Sequence, residues 1–322
     1  MNAIRKMAAL AAVAAIAAPV AASAEELSIA TGGTGGVYFP LGGGLAELIN
    51  RNIEGYSASA EVTGASVENV ALIARDNSDI AFALADTVYQ AYNGTNDFEG
   101  RPVTNLRALA SIYPNAVQLV TVEGTGISSL DDLRGKRISV GAPGSGTEIS
   151  ARQILEANGI TYSDITPERL NFNETADALR DGDVVAGFWS VGPPTSSIMN
   201  LAATRTIQFV NLTEDQINAA LEVEPTFAAY TLVAGTYDGV AEDVATIATP
   251  NVLIVNEDMP EELAYEITKM MYENTDFLIS THPAAKDMTV EFSTTSTPIP
   301  FHPGTIRYLE EIGAEIQDHQ RP

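Results

Sequence analysis

From Leu27 onward, short apolar runs alternate with stretches whose apolar residues recur at helical spacing. The run 27–30 reads as a strand and residues 31–36 as a glycine loop. The helix that follows carries Leu41, Leu45, Leu48 and Ile49 on one face. A strand feeding a glycine loop that opens a helix leaves backbone N–H groups free at the helix start, a place that attracts an anion. The pattern continues with a strand at 58–62, a helix at 67–74 with Ser66 as its N-cap, a buried strand at 79–84 and a helix capped by Asp86. Two apolar runs of β character follow, at 106–112 and 117–122.

From Glu123 the same order restarts. A capped turn at 127–133 leads to a strand at 138–140, a second glycine loop at 141–147 and a helix at 148–157. A strand at 170–172, a helix at 173–179 with Asn173 as N-cap, and a strand at 184–188 complete the passage. Each passage turns on an Arg-Asp pair, Arg75-Asp76 in the first and Arg180-Asp181 in the second. Two βαβ lobes on one plan follow from this, with parallel strands and right-handed crossovers. In such sheets ligands bind beyond the carboxyl ends of the strands, where both glycine loops lie. The last third is mixed, with strands at 209–212 and 252–255 and helices at 214–221, 261–275 and 305–312. The expected fold is α/β, two-lobed, with the ligand cleft between the lobes. The strand 252–255 returns the chain, so residues 25–122 with 254–322 form lobe 1, residues 123–253 form lobe 2, and crossings fall near 120–123 and 251–255.

The first residues change the picture of where the protein works. Arg5 and Lys6, an alanine-rich apolar run at 7–17 and Ala22-Ser23-Ala24 make a signal peptide, residues 1–24, cleaved after Ala24. The run is too short for a good membrane span. With no cysteine there is neither a disulfide nor a lipid-carrying thiol, so a free periplasmic protein, expected as a monomer, is the natural reading. The formal charge is −25, and loss of Arg5 and Lys6 makes it two units more negative. Such a surface excludes a sequence-independent grip on nucleic acid, and it obliges an anionic ligand to be held by concentrated local donors.

Catalytic and cofactor chemistry is mostly excluded by detail. With Gly33 and Gly35 as the first two glycines of G-x-G-x-x-G, the third position is Tyr38, and neither loop carries the lysine of a phosphate-binding loop. The three histidines, His282, His302 and His319, are not at metal-ligand spacing. Ser145 lies in Gly144-Ser145-Gly146 with no base indicated, and no G-x-S-x-G elbow occurs. No enzyme activity, cofactor or metal is expected. An exported hydrolase using the same cleft, or a binding protein presenting its ligand to a sensor, stands as the alternative to transport.

Gly33-Thr34-Gly35-Gly36-Val37-Tyr38-Phe39-Pro40-Leu41-Gly42-Gly43 resembles the N-terminal signature of the TAXI family, the TRAP-associated extracytoplasmic immunogenic proteins. Gly64-Ala65-Ser66-Val67-Glu68-Asn69 is similar to that family's Gly-x-Ser-x-x-Asn helix start, and Lys136-Arg137-Ile138-Ser139-Val140-Gly141 to the opening of the second lobe in type II periplasmic binding proteins. Gly144-Ser145-Gly146-Thr147-Glu148, Trp189-Ser190-Val191-Gly192-Pro193-Pro194-Thr195 and His302-Pro303-Gly304 match the TAXI pattern in order. The resemblance implies the periplasmic substrate-binding subunit of a TRAP transporter, delivering glutamate, glutamine or a 2-oxoglutarate-like dicarboxylate to membrane permease subunits. The site it implies is Thr34, Gly35, Gly36, Tyr38, Ser66, Asn69, Ser145, Gly146, Thr147, Trp189, Gly192 and Pro194. Asp86 joins them as an acceptor for an amino-acid ammonium. Leu84 stands where that family pattern has a polar residue. Ser66, Asn69, Asp86 and Thr147 have helix caps as their alternative reading, and Tyr38 and Trp189 have core aromatics as theirs.

Overall fold

The computed structural model describes residues 24–322; the expected signal peptide, up to residue 23, lies outside the described residues. β1 (Glu25–Ala30) leads through the first glycine loop to α1 (Tyr38–Asn52), followed by β2 (Tyr56–Glu61), α2 (Ser66–Ala74), β3 (Ile80–Leu84) and α3 (Ala85–Asn93). The long strand β4 (Leu106–Val122) carries the chain to β5 (Arg137–Ser139), α4 (Gly146–Ala157), β6 (Thr166–Glu168), α5 (Phe172–Asp181) and β7 (Ala186–Val191). After α6 (Ser196–Ala202), β8 (Ile207–Phe209), α7 (Glu214–Val223) and β9 (Ala228–Leu232), a second long strand, β10 (Val244–Asn256), returns it. α8 (Glu261–Glu273), α9 (Thr275–Thr281), α10 (Val290–Ser296) and α11 (Pro303–Glu311) complete the described chain.

The strands form one sheet in the order β2-β1-β3-β10-β4-β7-β5-β6, with β8 on β4 and β9 on β10. Pairing is parallel within β2-β1-β3 and within β7-β5-β6, as expected for two βαβ lobes. Between them β10 and β4 run antiparallel to each other and to their outer neighbours. The expected pair of runs at 106–112 and 117–122 is therefore one 17-residue strand. Its first part pairs with β10 at 252–256, its last part with β7. Pairing with β10 ends and pairing with β7 begins at Ala116, upstream of the expected crossing at 120–123. Pro114 faces Pro250, and the register of β10 shifts between Pro250 and Val252.

Three local expectations are corrected. Residues 170–172 are not a strand: the ladder partner of β5 is β6, and Phe172 already opens α5. The cap of α5 is Asn171 rather than Asn173, in a reciprocal capping box with Glu174. Ser66 is likewise the first residue of α2 and not its N-cap, a position held by Ala65 at φ 77°.

α1 carries three consecutive glycines against ordinary helix propensity. A Cβ on Gly42 would overlap the Thr31 side chain, and one on Gly44 would approach Thr281 Oγ1 at 3.1 Å, whereas a Cβ on Gly43 meets nothing within 4 Å. Gly42 thus lets α1 lie close on β1, and Gly43 is exposed. Gly43→Ala should stabilise the protein by roughly 0.5–1 kcal/mol through helix propensity. Gly42→Ala should destabilise it by about 1–3 kcal/mol through overpacking. Urea melts of the two variants check the opposite signs.

Candidate ligand-binding site

The carboxyl ends of β1 and β3 on one side and of β5 and β7 on the other enclose a cavity of about 320 Å³. Gly36 and Tyr38 come from the first glycine loop and α1, Ser66 from α2, and Ser145, Gly146 and Thr147 from the second loop and α4. Six of the expected site residues are thus brought together. The wall also includes Val62, Leu84, Phe172 and Val191, with Asn115 from β4 and Ser190 from β7.

α4 offers backbone donors. Its N-cap is Ser145, whose Oγ accepts the Glu148 N–H at 3.3 Å and donates to the Ala142 carbonyl at 2.7 Å. The Ser145 hydroxyl proton is therefore engaged in the loop, with no catalytic base beside it. The N–H groups of Gly146 and Thr147 have no acceptor within the helix, and both residues line the cavity.

At the other end lies a buried polar chain. The Tyr38 hydroxyl donates to Asn251 Oδ1. Asn115 Nδ2 donates to the same oxygen at 2.7 Å, and Asn251 Nδ2 donates to the Tyr113 carbonyl at 3.1 Å. Burial holds the Tyr38 phenol well above its ordinary pKa, against hydrogen bonds from Ser66 and Asn115 that lower it, so it is neutral at any physiological pH. Asn115 Oδ1 and Ser190 Oγ are buried with no partner in the protein. Buried polar groups are rarely left unpaired, and Asn115 and Ser190 are both residues of the cavity wall.

The other expected residues lie elsewhere, each for a physical reason. Asn69 is fully buried and holds the lobe together: its Nδ2 donates to the Thr31 and Phe82 carbonyls, each at 2.7 Å, and its Oδ1 accepts from Thr63 Oγ1. Trp189 is fully buried, donates Nε1–H to Ser197 Oγ at 3.1 Å and stacks behind Phe172, so Phe172 takes the cavity wall that Trp189 was expected to form. Thr34 is exposed and accepts from Asn173 Nδ2 at 3.4 Å, and Gly35 gives that same Asn173 its space. Gly192 packs on the Tyr113 ring. Pro194, joined to Pro193 by a cis peptide, is backed by His282. His302 is buried, with Nδ1 accepting the Gly304 N–H at the start of α11.

Asp86 does not reach the cavity either. It is fully buried between the lobes, where Oδ2 accepts from Ser150 Oγ of α4 at 2.6 Å and Oδ1 from the Thr87 N–H. Beside it Glu224 Oε2 accepts from Gln90 of α3 at 2.9 Å and from Gln153 of α4 at 3.0 Å. Arg152 of α4 is paired with Asp97 across the same seam.

Sequence reasoning passed over Asn115, Phe172 and Ser190. The break that Pro114-Asn115 makes in the long apolar run 106–122 was the signal for the first. For Ser190, strand alternation beside Trp189 would have placed the tryptophan inward and its neighbour toward the cleft.

The sequence model of the NMT1-like family matches residues 29–313. The chain belongs to the NMT1-like family. Three solved structures share its fold. A protein from Bordetella bronchiseptica is 15% identical, with 89% of this chain and 98% of that one covered and a TM-score of 0.55. A putative L-cystine ABC transporter from Listeria monocytogenes is 13% identical, with 84% and 99% covered and a TM-score of 0.51. The ligand-binding component of an ABC-type import system from Staphylococcus aureus, solved with zinc bound, is 8% identical, with 92% and 96% covered and a TM-score of 0.51. This NMT1-like chain thus has the α/β, two-lobed periplasmic binding protein fold, with its cleft between the lobes. Among the described residues no helix is long and apolar enough to cross a membrane, and no cluster of His, Asp and Glu suits a metal.

Burial and the nearby Glu224 charge push the Asp86 carboxyl from 3.8 up to about 7, against hydrogen bonds from Ser150 and Thr87. A folded-state pKa above the unfolded one means that folding takes up a proton between them. The Asp86 contribution to stability is therefore fully present below about pH 4 and is lost as pH rises toward 7. Asp86→Asn should stay neutral throughout. Its stability relative to the parent should grow by a few kcal/mol, as an order of magnitude, from pH 4 to pH 7 and level off above. Urea melts across that range measure it, and a gap independent of pH removes the buried-carboxyl account.

Proposed function

We propose that this protein is the solute-binding subunit of a membrane transporter and captures a small carboxylate between its lobes. The observation that carries this reading is the interlobe cavity lined by the start of α4 on one side and by Asn115 and Ser190, each with an unpartnered oxygen, on the other. The names of two similar structures, an L-cystine ABC transporter and a ligand-binding component of an import system, support transport as the setting. The ordered TAXI motifs support the finer reading: a TRAP permease as partner, and glutamate, glutamine or 2-oxoglutarate among the candidate ligands. On this reading residues 25–122 with 254–322 are lobe 1, residues 123–253 are lobe 2, and the protein is exported to the periplasm with its signal removed after Ala24.

The carboxylate sits at the start of α4, on the Gly146 and Thr147 N–H groups and the Thr147 hydroxyl, with the helix dipole behind it. Each hydrogen bond to the charged group contributes roughly 1.5–3 kcal/mol, and the helix start up to about 2 kcal/mol when partly buried. Three such contacts reach the scale of micromolar binding, about 8 kcal/mol, before association costs. Tyr38, Ser66 and Gly36 hold the opposite side. Ser145 shapes the loop through its bonds to Ala142 and Glu148 and does not donate to the ligand.

A thermal-shift screen of amino acids and small carboxylic acids tests this. A ligand at about 100 times its Kd adds roughly 2.7 kcal/mol. With the strongest hit, Thr147→Ala should weaken binding about tenfold in titration calorimetry, since one contact to a charged group is lost. Arg152→Ala should leave affinity within about twofold, because Arg152 does not line the cavity and its charge is already paired with Asp97. A screen in which no carboxylate stabilises the protein, or a large loss with Arg152→Ala and none with Thr147→Ala, overturns the assignment.

A further inference from the structure

The chemistry of the cavity wall narrows the ligand class. No Lys, Arg or His lines it among the described residues, and the only ionisable groups there are the Tyr38 phenol and the Glu174 carboxylate. A ligand with two negative charges would have one of them unmatched in a low-dielectric cleft of a strongly acidic protein. Asn115 Oδ1 can only accept a hydrogen bond. It is buried, as is Ser190 Oγ, and both are unpartnered. A carbonyl oxygen in that position calls for a donor on the ligand. The rest of the wall includes an apolar set: Val62, Leu84, Phe172 and Val191.

The two ends are close. A Cβ on Gly146 would come within 2.7 Å of both Ser66 Oγ and Leu84 Cδ1. Ser66 and Asn115 both lie against the Tyr38 phenol. The start of α4 is thus separated from Asn115 by little more than Ser66 and the tyrosine hydroxyl, a spacing suited to charges on one ligand backbone rather than at the ends of a long chain.

We infer that the cavity is built for a zwitterionic α-amino acid with an uncharged, apolar side chain. Its carboxylate lies at the α4 start, its ammonium on Asn115 Oδ1 and Ser190 Oγ, and its side chain on Leu84, Phe172, Val62 and Val191. This rests on the reading of the cavity as a small-carboxylate site. It replaces the dicarboxylates among the candidates and gives a role to Leu84, which stands where the TAXI pattern has a polar residue. Glu174, exposed at the rim in its capping box with Asn171, adds a field that favours a ligand carrying a cationic group.

Titration calorimetry with four probes tests it: L-leucine, 4-methylpentanoate (the same body without the ammonium), L-glutamate and 2-oxoglutarate. L-Leucine should bind at least about tenfold more tightly than each of the others, and Ser190→Ala should shrink its advantage over 4-methylpentanoate several-fold, as expected when one hydrogen bond to a charged group is lost. Equal affinity for L-leucine and 4-methylpentanoate removes the ammonium site. Tighter binding of L-glutamate or 2-oxoglutarate overturns the apolar side chain while leaving small-carboxylate capture standing. Absence of binding by all four overturns the inference, and the thermal-shift screen then decides separately whether any carboxylate is captured.

Discussion

The structure depends on a close approach of the two lobes at positions that have no side chain. A Cβ on Gly35 would overlap Asn173, and one on Gly36 would lie 3.1 Å from the Phe172 ring. One on Gly64 would lie 2.9 Å from the Pro143 carbonyl, and one on Gly146 2.7 Å from Ser66 Oγ. Each of these neighbours belongs to the facing lobe. The approach lets the Val67 and Glu68 N–H groups at the start of α2 donate to the Gly144 carbonyl across the cleft, at 3.0 and 3.2 Å. The glycine loops therefore do two things with one property. They leave backbone donors open at the start of α4, and they let the lobes meet closely around the cavity that Gly146 and Thr147 line.

That closure fixes the electrostatics. The protein carries 42 acidic residues against 17 basic ones, and many of its arginines are engaged in exposed ion pairs such as Arg307–Glu262 and Arg321–Glu310. Such pairs add little to stability. What remains for an anionic group is a set of oriented backbone dipoles, which need no countercharge and do not raise the cost of burying one. The seam beside the cavity follows the opposite rule. Asp86 and Glu224 are buried, and each is matched by neutral donors: Ser150 and Thr87 for the first, Gln90, Gln153 and Thr226 for the second. Of these bonds, Ser150 to Asp86 and Gln90 to Glu224 run from one side of the seam to the other, and these two exist only while the lobes are together.

The alternation of strands and helices, both glycine loops and the two-lobe plan were legible in the sequence because hydrophobic periodicity and loop chemistry act locally. Three things were not, and each depends on partners far along the chain. The residues 106–122 read as two runs because Pro114 and Asn115 interrupt the apolar pattern, yet the strand continues through them and only changes its neighbour. Asn69 and Asp86 have the composition of helix caps or ligand contacts, and nothing local tells that Asn69 ties β1 to β3 or that Asp86 meets Ser150 across 64 residues. Trp189, the single tryptophan, drew attention for its chemistry, but on a strand with both faces covered its size places it in the core, with Phe172 between it and the cavity.

The point at which β4 and β10 change partners is also where the cavity gets its polar floor. Pro114 faces Pro250 in the ladder, and neither can donate a backbone hydrogen bond, so the sheet is weakest there. The residues that flank this weak point, Asn115 and Asn251, are bonded to each other and, through Asn251, to Tyr38 of α1. A rotation of one lobe against the other about this place must move Asn115, which leads into the part of β4 paired with β7, relative to Tyr38, which stands on the first lobe. The acceptor that faces the cavity and the bonds that brace the crossing are on the same two side chains. A ligand donor that pairs with Asn115 Oδ1 therefore stabilises the arrangement in which the lobes are together and gains that contact only there, which is the differential interaction by which a ligand selects one state over another.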